Sequence, residues 1–325
     1  MKDKLSFLYT CDDAYLPLTS ISMASVIKNN PEREICFYIA TENENGENLK
    51  RLRDFYADNK DISIIYLDAR AYDGLLASKG LDKWGSASFY VYWKLFAAEL
   101  LDEDEVWYLD SDVLCLKEVD YPSIDKPIGA VLDSAHACFN KAAHIDERYY
   151  FFNTGSLYID VRKWKKERCL DKVLDYIRNM EHLPLMCDQD ILAISLQEQI
   201  EVIDPAYDYL VGYDYYGVHD SFEMYSLHKK PFYREEEVKD AKNRIVFYHC
   251  LGGVFGRPWQ DGNTSPIREA FESYRKLSAW PDYRTEASSS LLFKIEKALE
   301  VLPKPLYNRV HNLAMRFYVK GLAKR

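Results

Sequence analysis

The sequence predicts an α/β fold: a mostly parallel, Rossmann-like sheet with helices on both faces. Two observations predict it. Short β-rich runs alternate with helix-period stretches, and polar clusters fall directly after several of those runs. Residues 5–10, 34–40 and 62–67 read as strands, separated by helical segments over 19–29 and 47–59. This βαβ rhythm places ligand sites beyond the carboxyl ends of the strands. Cys11-Asp12-Asp13 follows the first run, Asp110-Ser111-Asp112 follows 106–109, and His249 follows 245–248, so the three clusters share one edge. Between them Trp164, Leu170, Val173, Leu174 and Ile177 recur at helical spacing and predict one amphipathic helix after Asp160.

At 325 residues, 48% hydrophobic and 29% charged, the composition is that of a folded domain rather than a disordered one. The 26 Tyr beside 15 Phe and 6 Trp suit a core and also sugar or base stacking, so the count decides nothing alone. A formal charge of −10 excludes a general nucleic-acid binder, which needs a basic surface to neutralise phosphates. That figure hides an asymmetry: residues 288–325 carry eight Lys or Arg against two Glu. The Ser288-Ser289-Ser290 run marks the boundary, giving a catalytic domain over 1–287 and a basic helical tail over 288–325. In the tail, Leu291, Leu292, Ile295, Ala298, Leu299 and Leu302 fall on one helical face. After Pro303 and Pro305, Leu306, Val310, Leu313, Ala314 and Phe317 repeat the pattern. Arg309, Arg316, Lys320 and Lys324 add the positive charge of a surface that meets anionic lipid headgroups; the alternative is a helical hairpin packed on the domain's acidic surface.

Seven scattered Cys, odd in number and without a Cys-x-x-Cys pair, fit a reducing cytoplasm. The apolar run after Met1-Lys2-Asp3-Lys4 is too brief for a signal peptide, and no stretch approaches the roughly 18 apolar residues of a membrane span.

The chemistry begins at Glu105-Val106-Trp107-Tyr108-Leu109-Asp110-Ser111-Asp112, an apolar strand ending in two carboxylates one residue apart. At a strand end both can converge on one hard cation, although an exposed turn also favours Asp. Tyr248-His249-Cys250-Leu251-Gly252-Gly253 follows another strand and offers an imidazole, with glycines that let backbone approach a diphosphate. Together Asp110, Asp112 and His249 form a mixed oxygen and nitrogen set, which suits Mn²⁺ better than Mg²⁺.

With these blocks in view, the chain resembles the family-8 retaining glycosyltransferases, which have a GT-A fold. The matching blocks run in family order: Tyr9-Thr10-Cys11-Asp12-Asp13, Tyr108-Leu109-Asp110-Ser111-Asp112, Phe152-Asn153-Thr154-Gly155, Asp188-Gln189-Asp190-Ile191-Leu192, and His249 through Arg257-Pro258-Trp259. The resemblance implies that Asp12, with Asp13 beside it, holds the uracil edge of a UDP-sugar and that Tyr15 stacks on the ring. It implies that Asp110 touches ribose and metal with Ser111 adjoining, that Asp112 and His249 complete the metal site, and that Gly252 and Arg257 face the diphosphate. Asp133, Asn153, Asp188 and Gln189 would line the pocket of the transferred sugar. Three departures stand out: Ala14 where the family has Asn, Tyr92 where it has Arg, and Arg257 for Lys, with two extra residues between His249 and Pro258.

The implied reaction is retaining transfer of a hexose, galactose or glucose, from a UDP-sugar to a glycan or lipid-linked acceptor, as in lipopolysaccharide biosynthesis on the inner face of the bacterial cytoplasmic membrane. Retention would come from a covalent intermediate on Asp190 or Asp133, or from same-face attack, which is preferred. The competing readings are a non-catalytic UDP-sugar binder, motivated by Ala14 and Tyr92, and a haloacid-dehalogenase-like phosphatase. The latter places its Asp-x-Asp near the amino terminus and follows it with Thr or Val where this chain has Leu114.

Overall fold

The computed structural model describes residues 3–83, 89–134, 145, 150–252, 256–287, 294, 298, 299 and 301–322. Ten strands are present among them: β1 (Lys4–Thr10), β2 (Glu34–Ala40), β3 (Ile62–Leu67), β4 (Glu105–Leu109), β5 (Val113–Cys115), β6 (Ile128–Leu132), β7 (Phe152–Asp160), β8 (Ile200–Val202), β9 (Tyr209–Leu210) and β10 (Phe247–His249). Seven form one sheet in the order β3-β2-β1-β4-β7-β6-β8, and β5-β10-β9 form a second, smaller sheet. Beyond their first residues β1 and β2 are buried throughout, because helices cover both faces and every side chain must be apolar or paired. On the edge, β3 is only half buried.

Four of the six pairings in the large sheet are parallel; the other two, β4–β7 and β6–β7, are antiparallel. The sheet is therefore mixed, and its antiparallel member is the segment whose Asn153-Thr154-Gly155 would alone read as a turn. Turn-forming residues sit mid-sheet here because Asn153 and Gly155 serve the site described below. The Leu16–Asn29 and Glu47–Tyr56 helices cover one face, and Tyr90–Ala97, Cys169–Asn179 and Asp188–Ser195 cover the other. Trp107 on β4 stacks on Tyr207 at 5.1 Å and meets Phe247 of β10 edge-on at 5.0 Å, which ties the small sheet to the large one.

The single helix predicted after Asp160 is two: Val161–Lys166, capped by the Asp160 carboxylate, and Cys169–Asn179. Arg168 turns the chain between them at φ 56°. A continuous helix would place position 168 beneath Trp164, one turn on, and bury a charge there. The break instead brings Cys169, Val173, Leu174 and Ile177 into the core.

Of the tail, Lys294, Ala298 and Leu299 are helical, and Lys304–Leu322 forms a long helix starting between the two prolines. The predicted positions Leu291, Leu292, Ile295 and Lys324, and the boundary serines 288–290, lie outside the described residues. The long helix docks on Val218–Tyr225 through a polar and aromatic face. Lys304 Nζ reaches Asp220 at 3.0 Å, Asn308 donates to the same carboxylate at 3.0 Å, Asn312 donates to the Met224 carbonyl at 2.6 Å, and Tyr307 stacks on Tyr216. At 100° per residue the apolar positions 306, 310, 313 and 317 fall on the opposite side. Leu306, Leu313 and Phe317 are accordingly 47%, 56% and 66% exposed. The apolar faces of the predicted helical pair thus do not both pack inward.

Candidate active site

The carboxyl ends of β1, β4 and β10 bring the predicted clusters together. Past Leu109 the chain turns: the Asp110 N–H donates to the Gly155 carbonyl at 2.7 Å, and Val113 N–H returns to the Asp110 carbonyl at 3.1 Å. This turn swings Asp112 toward β10, where the Cys250 N–H donates to its carbonyl at 2.9 Å. Ligand atoms of Asp110, Asp112 and His249 then lie within 4.8 Å of one another, a spacing one divalent cation can span. His249 lies 3.4 Å from Asp112 through Nε2 and 3.1 Å from Asp208 through Nδ1. Arg257 Nη1 lies 2.9 Å from the other Asp112 oxygen.

Gly155 explains why the neighbouring strand tolerates the imidazole. A Cβ there would stand 2.1 Å from His249 Cε1, so only glycine leaves room for the ring. Gly252 serves Arg257 in a milder way, since a Cβ would meet its Nε at 3.2 Å. Gly253 lies outside the described residues.

Beside this group is a second one. Asp133, at the end of β6, accepts from Asn153 Nδ2 at 2.9 Å and from Gln189 Nε2 at 3.2 Å, and Gln189 also donates to the Phe152 carbonyl at 2.8 Å. Asn153 accepts the Gly155 N–H at 2.8 Å, linking the two groups through one backbone. Asp188 opens the helix that carries Gln189, after Cys187 at φ 51°, a left-handed value that is strained for a side-chain-bearing residue.

Lys94 joins the groups, and sequence reasoning missed it. The residue is 4% exposed, and its ammonium lies 2.9 Å from Asp110 and 3.1 Å from Asp188, donates to the Thr154 carbonyl at 3.2 Å, and sits 4.6 Å over the Tyr108 ring. Burial opposes its charge, yet Asp110 and Asp188 outweigh that and raise its pKa well above the ordinary value. Asp188 is raised by burial, which Lys94 offsets only in part. Burial likewise opposes ionisation of Asp112, but His249 and then Arg257 hold its pKa down to about 2. For His249 burial favours the neutral ring, and Asp208 and Asp112 prevail, raising it well above the ordinary histidine value.

The remaining predicted residues divide. Asp12 caps the Asp13–Tyr15 turn by accepting the Tyr15 N–H at 2.9 Å, Asp13 accepts from Asn48 Nδ2 at 2.6 Å, and Tyr15 is 47% exposed. Burial raises the Asp12 pKa. Ser111 is directed away, its hydroxyl 2.8 Å from that of Thr19. One oxygen of Asp190 accepts the N–H groups of Leu185 and Met186 ahead of its own helix. Of the two carboxylates considered as nucleophiles, Asp133 is hydrogen-bonded to Asn153 and Gln189.

Residues 7–261 match glycosyl transferase family 8, more than half of the chain. The chain belongs to that family. Among its relatives, glycosyltransferase GlyF of Streptococcus pneumoniae is 27% identical over 296 residues, 89% of this chain, which spans 65% of that protein's length. A lipopolysaccharide 1,2-glucosyltransferase of Escherichia coli is 25% identical, with 83% of this chain and 77% of that protein covered. The crystal structure of galactosyltransferase LgtC with donor and acceptor sugar analogues superposes with a TM-score of 0.66 at 20% identity, covering 84% of this chain and 96% of that one. The GT-A fold implied by the sequence blocks is thereby borne out.

Within the family-8 frame, one departure takes a new meaning. Tyr92, which stands where Arg was expected, is wholly buried in the core, while Lys94, one half-turn on, carries the cation into the site. Asp208 was missed because it ends the Pro205–Asp208 turn just ahead of β9, a strand of only two residues that nothing in the sequence announces.

Proposed function

We propose that the chain transfers a hexose, galactose or glucose, from a UDP-sugar to a glycan or lipid-linked acceptor with retention of configuration, using Mn²⁺ or, less well, Mg²⁺. The observation that carries this reading is the convergence of Asp110, Asp112 and His249 beside the Asp133, Asn153 and Gln189 group. The donor set fits a divalent cation of intermediate hardness, with two carboxylates and one imidazole. Such a cation would offset the negative charge that grows on the departing diphosphate.

This chain's own residues do the rest. Arg257, poised beside Asp112, supplies a second positive charge for the phosphates, and Gly252 keeps the backbone low beneath it. Asp12 and Tyr15 offer an acceptor and an exposed ring for the uracil. Asn153, Gln189 and Asp133 form a hydrogen-bonded set that can fix sugar hydroxyls, so positioning and electrostatics supply the acceleration of an oxocarbenium-like state. With UDP as leaving group no protein acid is needed. Same-face attack, in which a phosphate oxygen takes the acceptor proton, fits a site in which Asp133 is tied to two amides.

The exposed face of Leu306, Leu313 and Phe317, with Arg309 at its side, supports attachment to an anionic membrane surface near a lipid-linked acceptor. Among the described residues no helix is long and apolar enough to cross a membrane. Full-length protein is expected to bind anionic vesicles in a salt-sensitive way and to ignore neutral ones; equal binding to both, or none, overturns the membrane reading. A chain that binds UDP-sugars but releases no UDP with any acceptor or with water would instead be a binding protein. The buried Lys94 ammonium beside Asp110 and Asp188 supports the catalytic reading over that alternative.

A further inference from the structure

His249 uses both ring nitrogens, and the partner of Nδ1 belongs to none of the family blocks. Asp208 is 0% exposed and stands at the end of a 3-10 turn whose start is capped by Asp204, which accepts the Ala206 N–H at 2.8 Å. β9 follows at once and pairs in parallel with β10, aligning Leu210 with His249. This register brings an Asp208 oxygen to 3.1 Å from Nδ1, while Nε2 faces Asp112 at 3.4 Å. On its other side the ring lies against Gly155, where a Cβ would overlap Cε1 and Nδ1 at 2.1 and 2.4 Å. The imidazole is thus held in plane by glycine and in rotation by a carboxylate.

We propose that Asp208 is a positioning residue for the cation site: it accepts the Nδ1 proton of His249, orients the ring so that Nε2 is the nitrogen offered to a cation shared with Asp112, and thereby sets the affinity for a divalent cation. The inference rests on the reading of Asp110, Asp112 and His249 as metal ligands. Burying a carboxylate is expensive unless it is paired, and Asp208 has its pairing here with His249. A carboxylate behind a ligating imidazole orients the ring and raises its basicity, and its loss typically lowers metal affinity by about 10- to 100-fold. Asp208 is wholly buried behind the ring, so its effect on transfer must pass through His249.

The probe is Mn²⁺ itself, titrated in the presence of UDP and read by electron paramagnetic resonance, with the full-length chain. Asp208→Asn is isosteric and keeps an acceptor oxygen. It is expected to weaken Mn²⁺ binding by about 10-fold or more, with Asp208→Ala weaker still. Donor hydrolysis by Asp208→Asn should fall at low Mn²⁺ and return toward the wild-type rate at saturating Mn²⁺, which loss of a merely structural residue would not allow. In a His249→Ala background, adding Asp208→Asn should change Mn²⁺ affinity no further, and this pair stays informative if the single variant folds poorly. Wild-type affinity in Asp208→Asn, or a further loss in the double variant, overturns the proposal. Asp112→Ala separates the two readings. If it keeps full Mn²⁺ affinity, the metal site itself is misassigned; if it loses affinity while Asp208→Asn does not, only the role of Asp208 fails.

Discussion

The strand-end cluster and the C-terminal helix are held by opposite means. At the cluster, charges are buried and answered by other charges: Lys94 lies between Asp110 and Asp188, and His249 between Asp112 and Asp208. At the helix, Lys304 is 72% exposed in its side chain, and its ion pair with Asp220 is open to water. The difference teaches where a single substitution travels. In the cluster it leaves an uncompensated buried charge, whereas at the helix water takes over what the partner gave up.

The largest effect is expected at Lys94. Lys94→Met strands two carboxylates, and breaking a buried pair costs about 3–5 kcal/mol, so denaturant unfolding should show a loss of that size together with inactivity. A loss below about 1 kcal/mol would mean that water already serves the cluster, and the contrast with the helix would fade.

Gly155→Ala comes next. Its Cβ would meet His249 Cε1 at 2.1 Å, and overpacking of this kind costs about 1–3 kcal/mol. Mn²⁺ affinity should fall with it, because the displaced ring carries a ligand atom. Unchanged affinity would show that the ring moves without consequence.

Gln189→Ala sharpens the comparison within the cluster, since it removes hydrogen bonds but no charge. UDP affinity should stay nearly intact while transfer slows by roughly 10²-fold, the scale of a lost positioning contact. Equal losses in binding and rate would make Gln189 a structural link between Asp133 and Phe152.

The smallest effect belongs to the helix. Lys304→Ala should cost less than about 1 kcal/mol, measured by thermal unfolding. Burial alone would raise the Asp220 pKa, but the hydrogen bonds from Lys304 and Asn308 bring it below the ordinary value. A lowered folded pKa means the contribution is present above the unfolded value of about 3.9 and is lost as pH falls through the folded one. Amide protection over 304–312, taken relative to the intrinsic exchange rate at each pH, should therefore fall in acid before the core opens. Protection that falls only on the alkaline side would contradict the assignment.

Much of this was legible before the structure, for a physical reason. Strands covered on both faces write themselves as continuous apolar runs, and ligands gather where such runs end, so β1, β2, β4, Asp110, Asp112 and His249 could be read directly. Lys94 and Asp208 could not, because their roles depend on partners far off in sequence, and a buried lysine on an apolar helix looks like a surface residue. β7 was hidden for a related reason: its Asn153 and Gly155 serve neighbouring groups rather than the strand.

The central claim is that the cluster binds a divalent cation and a UDP-sugar for transfer. The direct measurement is hydrolysis of a panel of UDP-hexoses by wild type and Asp112→Ala, with Mn²⁺ and with chelator. Wild type should release UDP with Mn²⁺ from at least one hexose donor and none after chelation, and Asp112→Ala should release none while keeping its cooperative unfolding. Release that survives chelation, or full activity in Asp112→Ala, would contradict it.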